Sequence, residues 1–308
     1  VTGGAEAAPA LPSLDGWRVG VIGFGLMGRP MARALAAAGA EVIVHARRAS
    51  VRDIAAADGL ETADSPAAVA RTADVVLVIV SDTPAVESVV AGSGGLLGAV
   101  RPGHLVIDMG TTAVATTRAL AARVAGAGAD YVDAPVSGGQ VGAEQATLSI
   151  MAGGTEAAIA RARPVFQVLG TRLTHVGDVG AGQVAKAANQ VVVGLTIGAV
   201  AEALTLARRA GVDPGRVRDA LAGGFAESRV LAMHGRRMVE GAFTPGARAT
   251  TQRKDLDQAL ALAEAVGVTL PATTLARDLY DRLIARGEGD LDHAALIRVL
   301  DDRVGPGR

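Results

Sequence analysis

Cysteine is absent from the 308 residues, which excludes disulfides, thiolate catalysis and cysteine-ligated metals while leaving the redox compartment open. Aromatic residues make up only 2% of the chain against 50% hydrophobic residues. A core must then be built from Ala, Val, Leu and Ile, and the 40 glycines permit the close backbone approach such a core needs. A formal net charge of −1 supplies no long-range field, so neither nucleic acid nor an anionic membrane is expected as a partner. The five histidines, at 45, 104, 175, 234 and 293, fall at no metal-binding spacing. They read as scattered structural or surface residues, and no metal is expected. The opening VTGGAEAAPALPSLDG lacks a basic start and an apolar segment, so 1–16 reads as a flexible tail and the expected location is cytoplasmic.

What the chain does have is alternation. Short β-rich runs, RVGVI (18–22), EVIVH (41–45), VVLVIV (75–80), HLVID (104–108), DYVDAPV (130–136), TLSIMAG (147–153) and RLTHV (172–176), are separated by Ala-rich helical stretches such as 29–38 and 112–125. Near-continuous apolar strands are the pattern of a sheet covered on both faces. The fold class is therefore α/β, a doubly wound Rossmann-type domain over 17–179 followed by an all-helical domain over 180–308. A long helix at 181–210 joins them, bracketed by Gly180 and Gly211 with Arg208 and Arg209 in its last turn. At 1.5 Å per residue it spans roughly 45 Å. It carries no charge between Lys186 and Glu202, so its middle is expected to be buried all round. A membrane span is the rival, and it is set aside because the apolar run falls short of about 20 residues and contains Asn189, Gln190 and Thr196. Lys186 and Asn189, three apart, share a face at the lip of this helix.

Gly23-Phe24-Gly25-Leu26-Met27-Gly28 lies between the first strand and a helix opening at about Met27. In that context the three glycines serve a tight turn, approach of a pyrophosphate to the backbone, and helix-on-strand packing. The alternative, a plain glycine turn, is disfavoured by the strand before and the helix after. The end of the second strand reads His45-Ala46-Arg47-Arg48, with no acid for a ribose 2′-hydroxyl. Arg47 and Arg48 suit a 2′-phosphate, so NADP(H) is expected over NAD(H); a solvated basic loop is the alternative. Ser137-Gly138-Gly139, after DAPV, offers a hydroxyl and successive main-chain N–H groups suited to a carboxylate.

Taken in order, GFGLMGRPMA (23–32), DAPVSGG with ATLSIMAGG (133–154), GAGQVAKAANQ (180–190) and KDLDQAL (254–260) closely resemble the β-hydroxyacid dehydrogenase family, over nearly the whole chain. The resemblance implies an NADPH-dependent reductase of a short 3-oxo acid. KAANQ, EALTLARRAGVDP and GGFAESRVL look most like the members acting on tartronate semialdehyde; 3-hydroxyisobutyrate, succinic semialdehyde and glyoxylate chemistry are the alternatives. It implies that Lys186 is the general acid, that Asn189 orients substrate and lysine, and that Ser137, Gly138 and Gly139 hold the substrate carboxylate. Thr111 matches a threonine near the nicotinamide, and Lys254 one that reaches the cofactor; Asp255 reads as structural. Where relatives often carry Trp, this chain has Arg229, a candidate reader of a second substrate group. Imine reductases share the architecture but replace the lysine. A homodimer or homotetramer through the helical domain is implied. A non-catalytic scaffold on the same fold is the rival of a different class; loss of the lysine or basic tails would mark it, and neither is seen.

Overall fold

The computed structural model describes residues 12–304. The chain divides into two compact units, one ending at Gln183 and one beginning at Val184.

The first unit is built on one sheet. Its strands are β1 (Arg18–Ile22), β2 (Glu41–His45), β3 (Glu61–Thr62), β4 (Val75–Val78), β5 (Leu105–Asp108), β6 (Asp130–Asp133), β7 (Val136–Ser137), β8 (Leu148–Gly153) and β9 (Gly170–Gly177). They lie in the order β3-β2-β1-β4-β5-β6-β8-β7, with β9 pairing β8. From β3 to β6 every pairing is parallel, and β8 joins β6 and β7 antiparallel. Successive side chains of a strand point to opposite faces. Val75 and Leu77 of β4 accordingly enter one apolar core and Val76 and Val78 the other. Gly20 in β1 is required by the second core, since a Cβ there would lie 2.2 Å from Val69 Cγ1 on the helix Pro66–Thr72. That helix begins where Ser65 Oγ accepts the Ala68 N–H at 3.1 Å with Pro66 in its first turn.

Three sequence expectations change here. The run 130–136 is broken after Asp133, because Pro135 has no N–H to give a ladder and its carbonyl instead accepts from Met151. The two-residue β3 carries no hydrophobic pattern, both residues being exposed, and was not anticipated. The expected tail lies outside the described residues as far as residue 11, but Leu14 is fully buried in the core under β1 and β2. Its N–H reaches Ala38 O at 2.7 Å and its carbonyl accepts from Trp17. Leucines at 11 and 14, in a stretch rich in Ala, Gly and Pro, give no periodic signal.

The second unit is helical. Its first helix, Ala181–Arg209, starts in the first unit and runs on into it. Pro214–Leu221, Ala249–Ala265 and Pro271–Ala285 follow, with a π-helical turn at Leu231–Gly235 and short turns after His293. Ile197, Ala201 and Leu204 pack with Met238, Leu256, Tyr280, Leu283 and Leu296. Gly194 permits the approach of the Ala249–Ala265 helix, since a Cβ would lie 2.9 Å from Gln252 Nε2. At the helix C-terminus Arg208 and Arg209 both donate to the buried Asp301, at 3.1 and 3.2 Å. The middle of the long helix is not buried all round. Val192 and Leu206 are 65% and 73% exposed, and with Ala199 they fall every seventh residue on one face. Alanines and glycines made the run look uniformly apolar without requiring cover. By length and composition the helix does qualify as a membrane span, with mean hydropathy 1.7 over its best window. The length argument therefore fails. What the helix has is protein against its Ile197-Ala201-Leu204 face.

Burial of Leu14 gives a direct test. Leu14→Ala is expected to cost about 2–5 kcal/mol of unfolding free energy, read from urea denaturation, whereas truncation of a loose tail would cost nothing measurable.

Candidate active site

The glycine turn after β1 sits where the strand order reverses, between β1 and β4, the crevice in which open α/β sheets bind nucleotides. Gly23 has φ +104°, and a Cβ on it would lie 2.1 Å from Ile79 O. A Cβ on Gly28 would lie 1.9 Å from Gly23 O. Gly25 differs: a Cβ there would meet nothing within 4 Å, so its open side is free for a ligand. The helix Gly28–Ala37 that follows has no side-chain cap at Met27; Arg29 N already bonds Gly25 O and Pro30 has no N–H, so what an anion meets here is the helix dipole and the main chain of the turn itself. The turn thus fits a dinucleotide pyrophosphate. Phe24 serves through its main chain alone, because its ring is in the core; Met27 packs against that core, and Leu26 is 54% exposed.

Arg47 and Arg48 are exposed at the end of β2. Arg52, unremarked in the sequence, joins them: its Nη1 donates to Ala46 O at 2.8 Å and Arg47 O at 3.5 Å. Its spacing four residues into the helix Ala49–Ala57 was the available signal.

β5 and β6 end on two buried carboxylates, Asp108 and Asp133, paired in register. Asp108 accepts from Thr112 Oγ1 at 2.6 Å, Gly110 N at 3.0 Å and Tyr131 Oη at 3.4 Å. Burial pushes it up to about 7, against the hydrogen bonds from Thr112 and Gly110. Asp133 accepts from Gly180 N at 2.7 Å and Gln183 N at 2.8 Å; burial raises it to about 6 against those N–H groups. Gln183 Oε1 accepts from Thr112 N, and its Nε2 donates to Gly110 O, both at 3.0 Å. Thr111 is therefore held on both sides by its neighbours. Asp108, Thr112 and Gln183 escaped the sequence reading, since their partners lie up to 73 residues away.

Ser137 ends β7, half-buried, opposite Ser149 of β8. Gly138 and Gly139 follow with φ +137° and +61°, conformations that glycine alone adopts without strain. The loop closes through Thr147 N to Gly142 O at 2.8 Å.

In the second unit Lys186 is buried. Burial lowers its ammonium below the ordinary lysine value, Asp255 opposing and Lys254 adding to the shift. Lys254 Nζ lies 3.1 Å from Asp255 Oδ1. Gln190 Nε2 donates to Asp255 Oδ2 at 2.6 Å and to Gln252 Oε1 at 3.2 Å, and Asn189 Nδ2 donates to Gln190 Oε1 at 2.8 Å. The unit thus brings Lys186, Lys254 and Asp255 together, with Asn189 tied to them through Gln190. Arg229 is exposed.

Sequence separation misled on histidine. His234 and His293 stand edge to face, Nε2 to Nε2 at 3.2 Å, beside the buried Asp292. The potential ligand atoms of these three residues lie within 4.8 Å of one another. Arg237 Nη1 already donates to Asp292 Oδ2 at 2.7 Å. Burial, with His234, Arg237 and Lys186, pushes His293 down to about 3 against Asp292. With Arg237 already bonded to Asp292, the seat suits a metal ion poorly.

The raised carboxylates set a pH dependence. A carboxyl whose folded pKa exceeds its unfolded value, about 3.9, keeps its proton more tightly when folded, so stability declines as pH rises from there. For Asp108 the decline continues to about 7. Asp108→Asn mimics the protonated acid, and it is expected to shrink the fall in Tm between pH 5 and pH 8; an unchanged fall would remove Asp108 as its source.

The profile of the NAD binding domain of 6-phosphogluconate dehydrogenase matches residues 18–177. A second, described as NAD-binding of NADP-dependent 3-hydroxyisobutyrate dehydrogenase, matches 180–300. The chain is 43% identical to 2-hydroxy-3-oxopropionate reductase of Escherichia coli K12, over 92% of this chain and 97% of that protein. A 3-hydroxyisobutyrate dehydrogenase from Salmonella typhimurium superposes with TM-score 0.83 at 29% identity, covering 92% and 99% of the two chains. Psf3 in complex with NADP+ and 2-OPP does so with TM-score 0.84 at 28% identity, covering 92% and 100%. With the glycine turn and both halves matched, the chain belongs to the β-hydroxyacid dehydrogenase family of NAD(P)-dependent oxidoreductases.

Proposed function

We propose that the chain reduces tartronate semialdehyde (2-hydroxy-3-oxopropionate) to glycerate with NADPH, Lys186 donating the proton. The observation that carries the reading is a buried lysine whose ammonium is held below its ordinary pKa. The nicotinamide supplies the hydride. As negative charge develops on the carbonyl oxygen, an ammonium within reach stabilises it and then neutralises it, and a lowered pKa lets the same group work in both directions. Ser137, Gly138 and Gly139 hold the substrate carboxylate, and Asn189, steadied by Gln190, orients the substrate. Gly23 to Gly28 take the pyrophosphate, Thr111 and Lys254 contact the cofactor, and Arg47 and Arg48 pair with a 2′-phosphate. Similarity to the Escherichia coli reductase supports the substrate, and the NADP+ bound by Psf3 supports the cofactor. Likeness to the Salmonella typhimurium enzyme favours 3-hydroxyisobutyrate as the second reading. A homodimer or homotetramer belongs to the proposal, supported by the exposed Val192 and Leu206, and light scattering on the intact protein gives its mass.

A panel of tartronate, methylmalonate and succinate semialdehydes and glyoxylate, each with NADPH and NADH, tests the reading. The highest kcat/KM is expected for tartronate semialdehyde, with NADPH favoured about tenfold or more, in keeping with charged hydrogen bonds of about 1.5–3 kcal/mol. A preference for NADH would remove the roles of Arg47 and Arg48. Lys186→Met is expected to lower kcat about 10²–10⁴-fold. Since the protonated lysine is the acid, the wild-type reduction rate falls as pH rises, with a midpoint below the ordinary lysine value of about 10.4.

A further inference from the structure

The first turn of the helix that carries Lys186 is not capped by its own flank. Position 180 is a glycine, and the capping carboxylate comes from the end of β6, 47 residues earlier. Asp133 Oδ1 accepts from Gly180 N and Oδ2 from Gln183 N, which places a negative charge where a helix N-terminus favours it. The approach is close. A Cβ on Gly182 would lie 2.5 Å from both Asp133 O and Met151 O. The Gln183 side chain then reaches the loop after β5, accepting from Thr112 N and donating to Gly110 O. Thr112 Oγ1 in turn holds Asp108, the register partner of Asp133. Asp108, Thr112, Asp133 and Gln183 are all buried.

The circuit ties together three segments to which the proposed function gives work. Thr111 lies between the two residues bonded by Gln183, Ser137 lies four residues beyond Asp133, and Lys186 lies three residues beyond Gln183 in the same helix. A helix start held by two main-chain bonds and one bidentate amide is fixed in position and in rotation about its axis. We propose that Asp133 and Gln183 are positioning residues for the reduction, holding the first turn of the Lys186 helix, 180–183, to the end of β6 and the 110–112 loop. This rests on Lys186 as the proton donor. A loss of geometry of about an ångström costs on the order of 10²-fold in rate, so the clamp acts on kcat rather than on binding.

The test compares Gln183→Met, Gln183→Glu and Lys186→Met with wild type, using NADPH and whichever semialdehyde of the panel gives the highest kcat/KM. Gln183→Met keeps the length of the side chain and removes both hydrogen bonds. It is expected to lower kcat about 10–100-fold, with the KM for NADPH within about twofold of wild type, set by the untouched glycine turn. Gln183→Glu supplies the signature that general destabilisation would not. Its ionised form still accepts from Thr112 N but faces Gly110 O with a second acceptor; its protonated form restores the donor. Its kcat is expected to recover as pH falls, on a second limb below the Lys186-dependent one that wild type and Gln183→Met share. Wild-type kcat in Gln183→Met overturns the proposal, as does a Gln183→Glu enzyme with no recovery at low pH. Should Gln183→Met fail to fold, the Gln183→Glu profile decides alone. Full turnover by Lys186→Met would instead strike at the reading of Lys186, so the two failures are distinguishable.

Discussion

Two main-chain approaches too close for any side chain set the cofactor end of the first unit. The Gly23 turn lies against Ile79 O, and Gly28 against Gly23 O, with would-be Cβ separations of 2.1 and 1.9 Å. Any other residue at either place would push the helix Gly28–Ala37 off β1 or β1 off β4. That helix seals one core through Met31, Ala32 and Leu35, so the turn that makes room for phosphate also determines how the sheet is covered. Gly25 carries no such constraint, and the difference separates the structural glycines from the one left open to a ligand.

That turn was legible because its chemistry is local. A strand, three glycines and a helix within a dozen residues leave few readings. Legibility failed where the structure depends on pairing across the chain. Gln183 looked like an ordinary polar residue at a helix start, yet it is bonded to residues 71 and 73 positions away. His234 and His293 fall at no recognisable spacing, and they are in contact. Leu14 looked like part of a tail. The long helix failed in the opposite sense: its composition suggested burial on every side, because alanine scores as apolar whether or not anything covers it.

Both units bury ionisable groups. The first unit keeps carboxylates at the carboxyl ends of β5 and β6, where burial raises them and helix or loop N–H groups restrain the rise. The second keeps a lysine that burial lowers, with a carboxylate at Asp255 to limit the fall. Each site holds a group off its usual pKa and supplies a partial counterweight. A fully compensated group would keep its ordinary pKa, and an uncompensated one would cost too much to bury. Partial compensation leaves each group displaced from its ordinary value in the direction burial dictates.

Family and substrate differ in how plainly the chain states them, and the reason is chemical. Several features that mark the family are glycine turns: three glycines after β1 and two more, at φ +137° and +61°, after β7. Main-chain N–H groups recognise an anion and are indifferent to what the anion is attached to. Discrimination among related substrates has to come from side chains that meet the remaining atoms of the substrate. Asn189, proposed above to orient the substrate, illustrates the point. Its amide is oriented by Gln190, which is itself held by Asp255 and Gln252, so the direction in which Asn189 presents its remaining polar atom depends on residues 62 and 65 positions beyond Gln190 in the chain. Exchanging Gln190 for asparagine would alter the reach of that cluster by one methylene.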